Sequence, residues 1–306
     1  MPSWYLKAAI QGGLSLLPQS QRWNYFLQRY ISKNLRLRPS YFEKKLQLCT
    51  QHIDHYYHHR DTAPAKIIEL GTGWLPIVPL GLALSGHADI ISVDLNPLLR
   101  DQLVKETLTF FVQYDADSHL KTHLPHLKDE RVKQLHKAFE EIDQIGAEDA
   151  LALMGITYIV GDARSVQLGN IDLMVSNNTL EHIPGHIIEE IFQNFHTMLG
   201  NTGLMSHLID LSDHYSHFDR EITPYNFLQF SPERWKWYNN KLHYQNRLRA
   251  SDYHAIHHRA GFEILSETHN VKSIVDLERV TLAPEYDSYT PEDLAVTSSW
   301  VVSRPQ

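Results

Sequence analysis

The sequence predicts an α/β fold in which parallel strands form a doubly wound sheet. Residues 66–97 hold an apolar strand, a glycine-containing turn, a helical stretch and a second apolar strand that ends in Asp94. Two more strand-like runs, at 156–160 and 171–175, follow along the chain, and a helical pattern comes after the second. Strands that alternate with helices are typical of βαβ units, which place a parallel sheet between two helical layers.

The turn after the first strand has the features of a nucleoside site. An apolar strand leads into Glu69, Gly71 and Gly73. Glycines here allow the backbone to approach a ligand, because a Cβ would clash or forbid the required φ. Asp94 lies 25 positions after Glu69, at the tip of the second strand. A carboxylate at this place can accept hydrogen bonds from two ribose hydroxyls.

Details of the turn separate the possible cofactors. A dinucleotide site requires a third glycine three positions after the second, where Pro76 stands, and the sequence has no triphosphate-binding loop. An acidic residue two positions before the first glycine suits a cationic ligand better than a pyrophosphate. The stretch from Glu69 to Gly73 resembles motif I of the class I S-adenosylmethionine-dependent methyltransferases, E/D-x-G-x-G-x-G, with Leu75 in place of the last glycine.

Later segments fit the same family in the expected order, over roughly residues 60–210 and 250–303. The resemblance implies a seven-stranded, mostly parallel, doubly wound sheet with an antiparallel last strand, within a domain at 63–306. The matched segments are a third strand at 156–160, a fourth at 171–175, a motif IV-like run at 176–183 that includes Leu-Glu-His, an amphipathic helix at 187–199 stopped by Gly200, a fifth strand at 204–209, a helix-to-strand junction at 260–265 and a seventh strand at 295–302.

The resemblance also implies that S-adenosylmethionine is the cofactor and methyl donor. In the family, an acidic residue at the end of the third strand faces the adenine amino group, and Asp162 matches that position. The cofactor-binding residues that the resemblance implies are Glu69, Gly71, Thr72, Gly73, Trp74, Asp94, Leu95, Asp162, Ala163, Asn177 and Asn178.

Composition narrows the classes of function and partner. The formal charge of −8 argues against a nucleic-acid substrate, since phosphate binding needs a basic surface, although a local basic patch lies at 33–38. No apolar run has membrane-spanning length, so we expect no transmembrane helix. A single cysteine and the absence of a secretory pattern in residues 1–20 favour a cytoplasmic protein. We expect a small-molecule substrate, and a homodimer is one option.

Two additions to the core domain precede the third strand. Residues 1–62 have apolar and aromatic residues at helical spacing and predict a helical cap on the sheet or a lid over the ligands. A peripheral membrane contact is the least favoured alternative, because the first helix lacks a cationic face. Residues 98–150 predict two helices, 99–114 and 131–145, which leaves a dimer interface or a spacer as alternatives.

A third addition, residues 210–250, follows the fifth strand. In an open α/β sheet the ligand crevice lies outside the carboxyl ends of the strands, so this connection is placed to close over an acceptor. Aromatic walls with a few titratable groups are typical of small-molecule pockets. We therefore expect it to recognise the acceptor through its aromatic residues, namely Tyr225, Phe227, Phe230, Trp235, Trp237 and Tyr238.

The candidate catalytic residues are His182, His207, Asp210 and His214. A neutral imidazole near pH 7 suits the removal of a proton from an attacking hydroxyl. The histidines and aspartates after the fifth strand also suit a divalent ion. We favour a general base and predict no metal site, because metal-dependent relatives place acidic ligands around strand four, where residues 176–178 offer no carboxylate pair.

The implied reaction is in-line displacement at a sulfonium, in which the enzyme aligns the reactants and deprotonates the acceptor. Residues 177–180 lack the Asn/Asp-Pro-Pro-Tyr box of many N-methyltransferases. This absence favours O-methylation of a sugar or natural-product hydroxyl, with N-methylation of a small metabolite as the alternative. A non-catalytic S-adenosylmethionine-binding module and a nicotinamide-dependent oxidoreductase remain as further alternatives, although the glycine spacing after Glu69 argues against the oxidoreductase.

Overall fold

The computed structural model describes residues 4–15, 25, 29, 35–242 and 244–306. Part of the predicted N-terminal cap and of the predicted basic patch therefore lies outside the described residues. No helix within the described ranges is both long enough and apolar enough to span a membrane.

Seven strands form one sheet, and its topology confirms the predicted fold class. The strands are β1 (Lys66–Leu70), β2 (Asp89–Asp94), β3 (Ile156–Val160), β4 (Ile171–Asn177), β5 (Leu199–Asp210), β6 (Phe262–Val271) and β7 (Val296–Pro305). Their order across the sheet is β3-β2-β1-β4-β5-β7-β6. The first six strands run parallel, and β7 is antiparallel to both of its neighbours, β5 and β6.

Helices α2 to α6 pack on one face of this sheet, and α7 and α9 pack on the other. The helices of the described residues are α1 (Trp4–Ser15), α2 (Pro39–His59), α3 (Ile77–Leu84), α4 (Asp101–Ala116), α5 (Leu120–His123), α6 (Asp129–Leu153), α7 (Gly185–Met198), α8 (Pro232–Trp235), α9 (Ala250–Arg259), α10 (Ile274–Glu278) and α11 (Pro291–Ala295).

Strand β1 shows how the apolar pattern builds the two layers. Successive side chains of a strand point to opposite faces. Ile67 packs into the core formed with α2 to α6, whereas Ile68 packs into the core formed with α7 and α9. Both isoleucines are buried, as the continuous apolar run of a central parallel strand requires.

The helix after β4 follows its predicted apolar stripe, with Ile188, Ile191, Phe192 and Phe195 buried. The helix ends at Met198 with Leu199 as its C-cap, so the predicted stop, Gly200, is the next residue along the chain. Leu199 already pairs with Ile171 of β4, so the sheet takes up the chain without an intervening loop.

The insertion at 98–150 forms the helical layer beside β2 and β3. The predicted helices are present as α4 and α6, and α6 is longer than expected. Gly146 interrupts α6 with φ 83 and ψ 175, values outside the helical region. Buried residues of both helices, such as Phe111 and Leu135, belong to the core under β1 and β2.

The aromatic residues of 210–250 form a core of their own. Tyr225, Phe227, Phe230 and Trp235 are buried and pack together with Trp4 of α1. The prediction that these four residues wall the acceptor pocket is therefore wrong. Aromatic side chains bury more area than any others, and here that area joins α1 and the segments before β7 to the rest of the protein.

Candidate cofactor and acceptor site

A cavity of about 750 Å³ opens at the carboxyl ends of β1 to β4. Along the chain, β1 leads to β2 and β3 on one side, while β4 and β5 lie on its other side. Leu70 pairs with Val93 of β2 and with Ser176 of β4, so the three strands end at the same level. A crevice at such a change of direction is the usual ligand site of an open α/β sheet.

The loop after β1 forms one wall of the cavity. Gly71 and Gly73 have φ angles of +80° and +74°, a region that side-chain-bearing residues rarely adopt. A Cβ on Gly71 would lie 2.4 Å from two atoms of the Thr179 side chain. The glycine thus lets the loop pack directly on the turn after β4, whereas Gly73 faces open space.

Asp94 lies where the sequence places it, at the end of β2 and on the cavity wall. Its carboxylate accepts a hydrogen bond from the backbone N–H of Gly73 at 3.1 Å. Burial raises the pKa of the Asp94 carboxyl to about 7, although this hydrogen bond and one with Tyr158 act in the opposite direction. The free lone pairs of this carboxylate can accept hydrogen bonds from a ligand.

Glu69 is almost completely buried at the end of β1. The Thr72 hydroxyl donates a hydrogen bond of 2.6 Å to its Oε2. Burial raises the pKa of Glu69 to about 7, with the nearby Asp94 carboxylate adding to the rise. Two buried carboxyls that ionise reluctantly form a region where a cationic ligand gains more than a neutral or anionic one.

Several other residues that are predicted to bind the cofactor also lie on the cavity wall. Trp74, Leu95, Ala163 and Asn178 line it, and the Leu95 side chain is 70% exposed. Asp162 lines it as well, but Arg164 donates hydrogen bonds to both of its carboxylate oxygens, which lowers the pKa of Asp162. Contact between Asp162 and an adenine amino group stays a prediction. It would require the Asp162 carboxylate to accept hydrogen bonds from Arg164 and from the adenine at the same time.

Asn177 has a different position from its neighbour Asn178. It is buried, and His52 of α2 lies 3.1 Å from its Oδ1. Trp300 Nε1 donates to Ser206 Oγ, and Ser206 Oγ lies 2.8 Å from His52 Nδ1. The indole N–H of Trp300 only donates, so Ser206 Oγ accepts from it and can donate its own proton to His52 Nδ1. All three hydrogen bonds are then formed when His52 carries its proton on Nε2 and donates it to Asn177 Oδ1. Asn177 therefore supports the wall from behind and is absent from the residues that line the cavity.

Two of the predicted catalytic histidines line the cavity, and their rings lie 5.0 Å apart. These are His182, which follows β4, and His214, which follows β5. Asp210 stands behind His214, with 3.5 Å between its Oδ2 and His214 Nε2. Burial opposes ionisation of Asp210, but the hydrogen bond and charge of His214 bring the pKa of Asp210 down to about 2.

His182 is held in one tautomer. Its Nδ1 lies 2.7 Å from the carbonyl oxygen of Tyr244, which only accepts hydrogen bonds, so the proton resides on Nδ1. The His182 side chain is exposed at the cavity wall, and the protein around it together with the nearby His214 lowers the pKa of His182. His182 is therefore a neutral imidazole at pH 7, with Nε2 as an acceptor.

His207 lies on the other side of the wall. It is completely buried, stacks on Phe192 of α7 at 5.3 Å and shares a hydrogen bond of 2.8 Å with Ser176. Burial holds the pKa of His207 well below its ordinary value. His207 is absent from the residues that line the cavity, so this position does not suit a general base for an acceptor bound there.

Glu181 is a site residue that the sequence analysis passed over. It is buried between His182 and Asp210, and neither carboxylate oxygen has a hydrogen-bond partner among the described residues that meets ordinary geometry. Burial and the Asp210 charge raise the pKa of Glu181 well above its ordinary value. Its place in the Leu-Glu-His run, directly before a cavity histidine, was the available signal.

The insertion at 210–250 does reach the cavity, but through different residues from those predicted. Lys241, Leu242 and Tyr244 line it together with His214. Trp237 is 84% exposed and lies outside the cavity wall. Residues from both ends of the insertion thus reach the site, whereas Tyr225, Phe227, Phe230 and Trp235 in its middle pack in the separate aromatic core.

No protein-family model matches the sequence, and no curated protein matches it. Solved structures with a similar fold include magnesium protoporphyrin IX methyltransferase from Synechocystis, at 10% identity and a TM-score of 0.48 over 92% of this chain and 96% of that one. Another is an S-adenosylmethionine-dependent methyltransferase from Clostridium acetobutylicum, at 9% identity and a TM-score of 0.46 over 93% and 98%.

A provisionally assigned O-methyltransferase from Nostoc punctiforme is similar at 14% identity, with a TM-score of 0.47 over 98% of this chain and 66% of that one. The chain therefore spans about two thirds of that protein. Since all three TM-scores are below 0.5, these likenesses carry no argument about chemistry. The case for function depends on the site itself.

Proposed function

We propose that the protein transfers a methyl group from S-adenosylmethionine to a hydroxyl of a small molecule. One observation carries this proposal. Two buried carboxyls, Glu69 and Asp94, stand at the ends of adjacent parallel strands, beside a loop that glycines open to a ligand. A nucleoside with a cationic side chain fits this pair, since ribose hydroxyls donate to a carboxylate and positive charge favours ionised acids.

The residues present fit the donor on its two chemically distinct halves. Asp94 is placed to accept hydrogen bonds from ribose hydroxyls, and Leu95 offers an apolar surface to the adenine. We assign Glu69, which accepts a hydrogen bond from Thr72, to the cationic methionine part. When bound, S-adenosylmethionine supplies an electrophilic methyl group on its sulfonium, so the protein has only to align the acceptor and remove its proton.

His214 with Asp210 is the pair that we assign to proton removal. The Nε2 proton of His214 would face Asp210, which leaves Nδ1 to accept the hydroxyl proton. Asp210 is ionised and stabilises the imidazolium that forms. His182 is less suited to this role because its Nδ1–H donates to the neutral carbonyl of Tyr244 and not to a carboxylate, and we assign it to orienting the acceptor through Nε2.

Ligand binding is the first test of the proposal. We expect S-adenosylmethionine and S-adenosylhomocysteine to raise the melting temperature of the protein, whereas NAD leaves it unchanged. Asp94→Asn should abolish most of the shift without loss of the fold. Stabilisation by NAD alone would overturn the proposal in favour of an oxidoreductase.

Catalysis is the second test. The protein, S-adenosylmethionine and a metabolite library are incubated together, and products one methyl group heavier are detected by mass spectrometry. Removal of a general base typically costs a factor of about 10²–10⁴, so His214→Ala should lower kcat by that order while cofactor binding is retained. Cofactor binding with no methylated product from any library would favour a binding module. Products methylated on nitrogen would favour the N-methyltransferase.

A further inference from the structure

Outside this cavity, one cluster gathers two imidazoles around a single carboxylate. His254 of α9 and His269 of β6 both approach Glu267 of β6. The distances are 2.5 Å from His254 Nε2 to Glu267 Oε2 and 2.9 Å from His269 Nε2 to Glu267 Oε1. One ligand atom from each residue lies within 4.8 Å of the other two.

The three side chains are presented by regular elements of the fold. Glu267 and His269 are two positions apart on β6 and therefore point to the same face of the strand. His254 reaches them from α9, the helix that directly precedes β6. The His254 and His269 rings lie 6.5 Å apart with an angle of 20° between their planes. Ligands on helices and strands are held more precisely than ligands on loops.

Glu267 is fixed from behind by a neighbouring strand. Ser299 of β7 donates a hydrogen bond of 2.7 Å to Glu267 Oε1. A hydrogen bond to the ligating carboxylate is the usual second layer around a protein metal site, and it orients the carboxylate before the ion arrives. The Glu267 side chain is only 14% exposed, whereas His254 and His269 are 45% and 34% exposed, so an ion can enter from solvent.

The set of donor atoms selects a class of ion. Two imidazole nitrogens and one carboxylate oxygen suit Zn²⁺, Co²⁺, Ni²⁺ and Cu²⁺, whereas Mg²⁺ and Ca²⁺ prefer sites made of oxygen alone. Both imidazoles already direct Nε2 at the carboxylate. An ion between them would replace the hydrogens of these contacts and leave positions for water.

We propose that His254, Glu267 and His269 form a binding site for a late first-row transition metal ion, where α9 approaches the edge strand β6. None of the three residues lines the cavity described above. The site is therefore independent of the proposed methyl transfer, and its test needs no enzyme activity.

The test uses the whole chain with His214 replaced by Ala, which removes one member of a second potential ligand group made of Glu181, His182 and His214. Titration of ZnCl₂ in a calorimeter should give one ion bound per chain. His254→Ala and His269→Ala should each lower the affinity at least about tenfold, and Ser299→Ala should lower it by about 10–100-fold. MgCl₂ should give no binding at the same concentrations.

His258→Ala is the matched control, since His258 lies one turn further along α9 and is exposed. This variant should bind Zn²⁺ as the parent does. Co²⁺ in place of Zn²⁺ should give a visible absorption band that disappears in Glu267→Gln, while circular dichroism confirms that this variant is folded. Unchanged Zn²⁺ affinity in both His254→Ala and His269→Ala would overturn the proposal, as would an equal loss in His258→Ala.

Discussion

Replacement of Glu69 by Gln should stabilise the free protein and weaken cofactor binding at the same time. Burial raises the pKa of Glu69 from 4.5 to about 7. At about 1.4 kcal/mol per pKa unit, this rise corresponds to about 3 kcal/mol of folding free energy. Glutamine keeps the shape and an oxygen that can accept from Thr72, but it carries no charge to bury.

The sign of the pH dependence follows from the raised pKa. Near pH 4 Glu69 is protonated in both the folded and the unfolded chain, so Glu69→Gln changes the free energy of unfolding little. Between about pH 4.5 and pH 7 the unfolded chain loses this proton while the folded chain keeps it, and the wild type is progressively destabilised. The stability advantage of Glu69→Gln should therefore grow over this range and level off above pH 8, at about 3 kcal/mol.

Urea unfolding at pH 5, 6, 7 and 8 measures this difference directly. Glu278→Gln is the control, because Glu278 is an exposed glutamate at the end of α10. Calorimetric titration at pH 8 should show that Glu69→Gln binds S-adenosylmethionine more weakly than the wild type. A stability difference that stays constant with pH, or that shrinks as pH rises, would refute the reasoning.

Three further predictions concern the same site. Burial also raises the pKa of Asp94 to about 7, so calorimetry should show that the affinity of the wild type for S-adenosylmethionine falls as the pH drops below 7. Asp94→Asn loses one or two charged hydrogen bonds to the ligand and should therefore bind S-adenosylmethionine about 10–100-fold more weakly. Gly71→Ala should abolish S-adenosylmethionine binding and should lower the free energy of unfolding in urea by more than Gly73→Ala does. Both glycines have a positive φ, but of the two only Gly71 would also bring a Cβ against Thr179. An equal loss of stability in the two variants would contradict this reasoning. Trp235→Ala should lower the free energy of unfolding by about 3–5 kcal/mol, because Trp235 lies in the aromatic core. Its affinity for S-adenosylmethionine should stay unchanged at temperatures where the variant is folded, and a loss of affinity without a loss of stability would indicate that Trp235 lines the cavity.

The cofactor half of the site was predictable from the sequence because it depends on local order along the chain. Consecutive parallel strands end at the same edge of the sheet. A turn with two glycines after one strand and an acid at the tip of the next are therefore brought together there. Glu69 and Asp94 accordingly lie near the ends of adjacent strands, and Gly71 and Asp94 line the cavity. The antiparallel last strand of the seven was likewise expected, because the later segments resemble those of the family in the same order along the chain.

The acceptor half was not predictable in the same way. Strand β5 shows why, because adjacent residues of a strand face opposite layers and the sequence near Asp210 does not reveal which face is which. Ser206 faces α2 and Trp300, whereas His207 faces α7 and the apolar core around Phe192. Aromatic residues have a similar ambiguity, since the area that makes Trp235 suitable for a pocket wall also makes it suitable for a core.

The two carboxyl groups near His214 differ in pKa because their environments differ, although both are carboxylic acids. Asp210 and Glu181 are both carboxyls near His214, yet the pKa of Asp210 is lowered to about 2 while burial raises the pKa of Glu181 well above its ordinary value. Carboxyls whose pKa values are driven apart in one site usually have separate roles. In the proposed mechanism Asp210 supplies the negative charge that stabilises an imidazolium at His214. Burial and the Asp210 charge both oppose ionisation of Glu181, which favours a single negative charge beside His214.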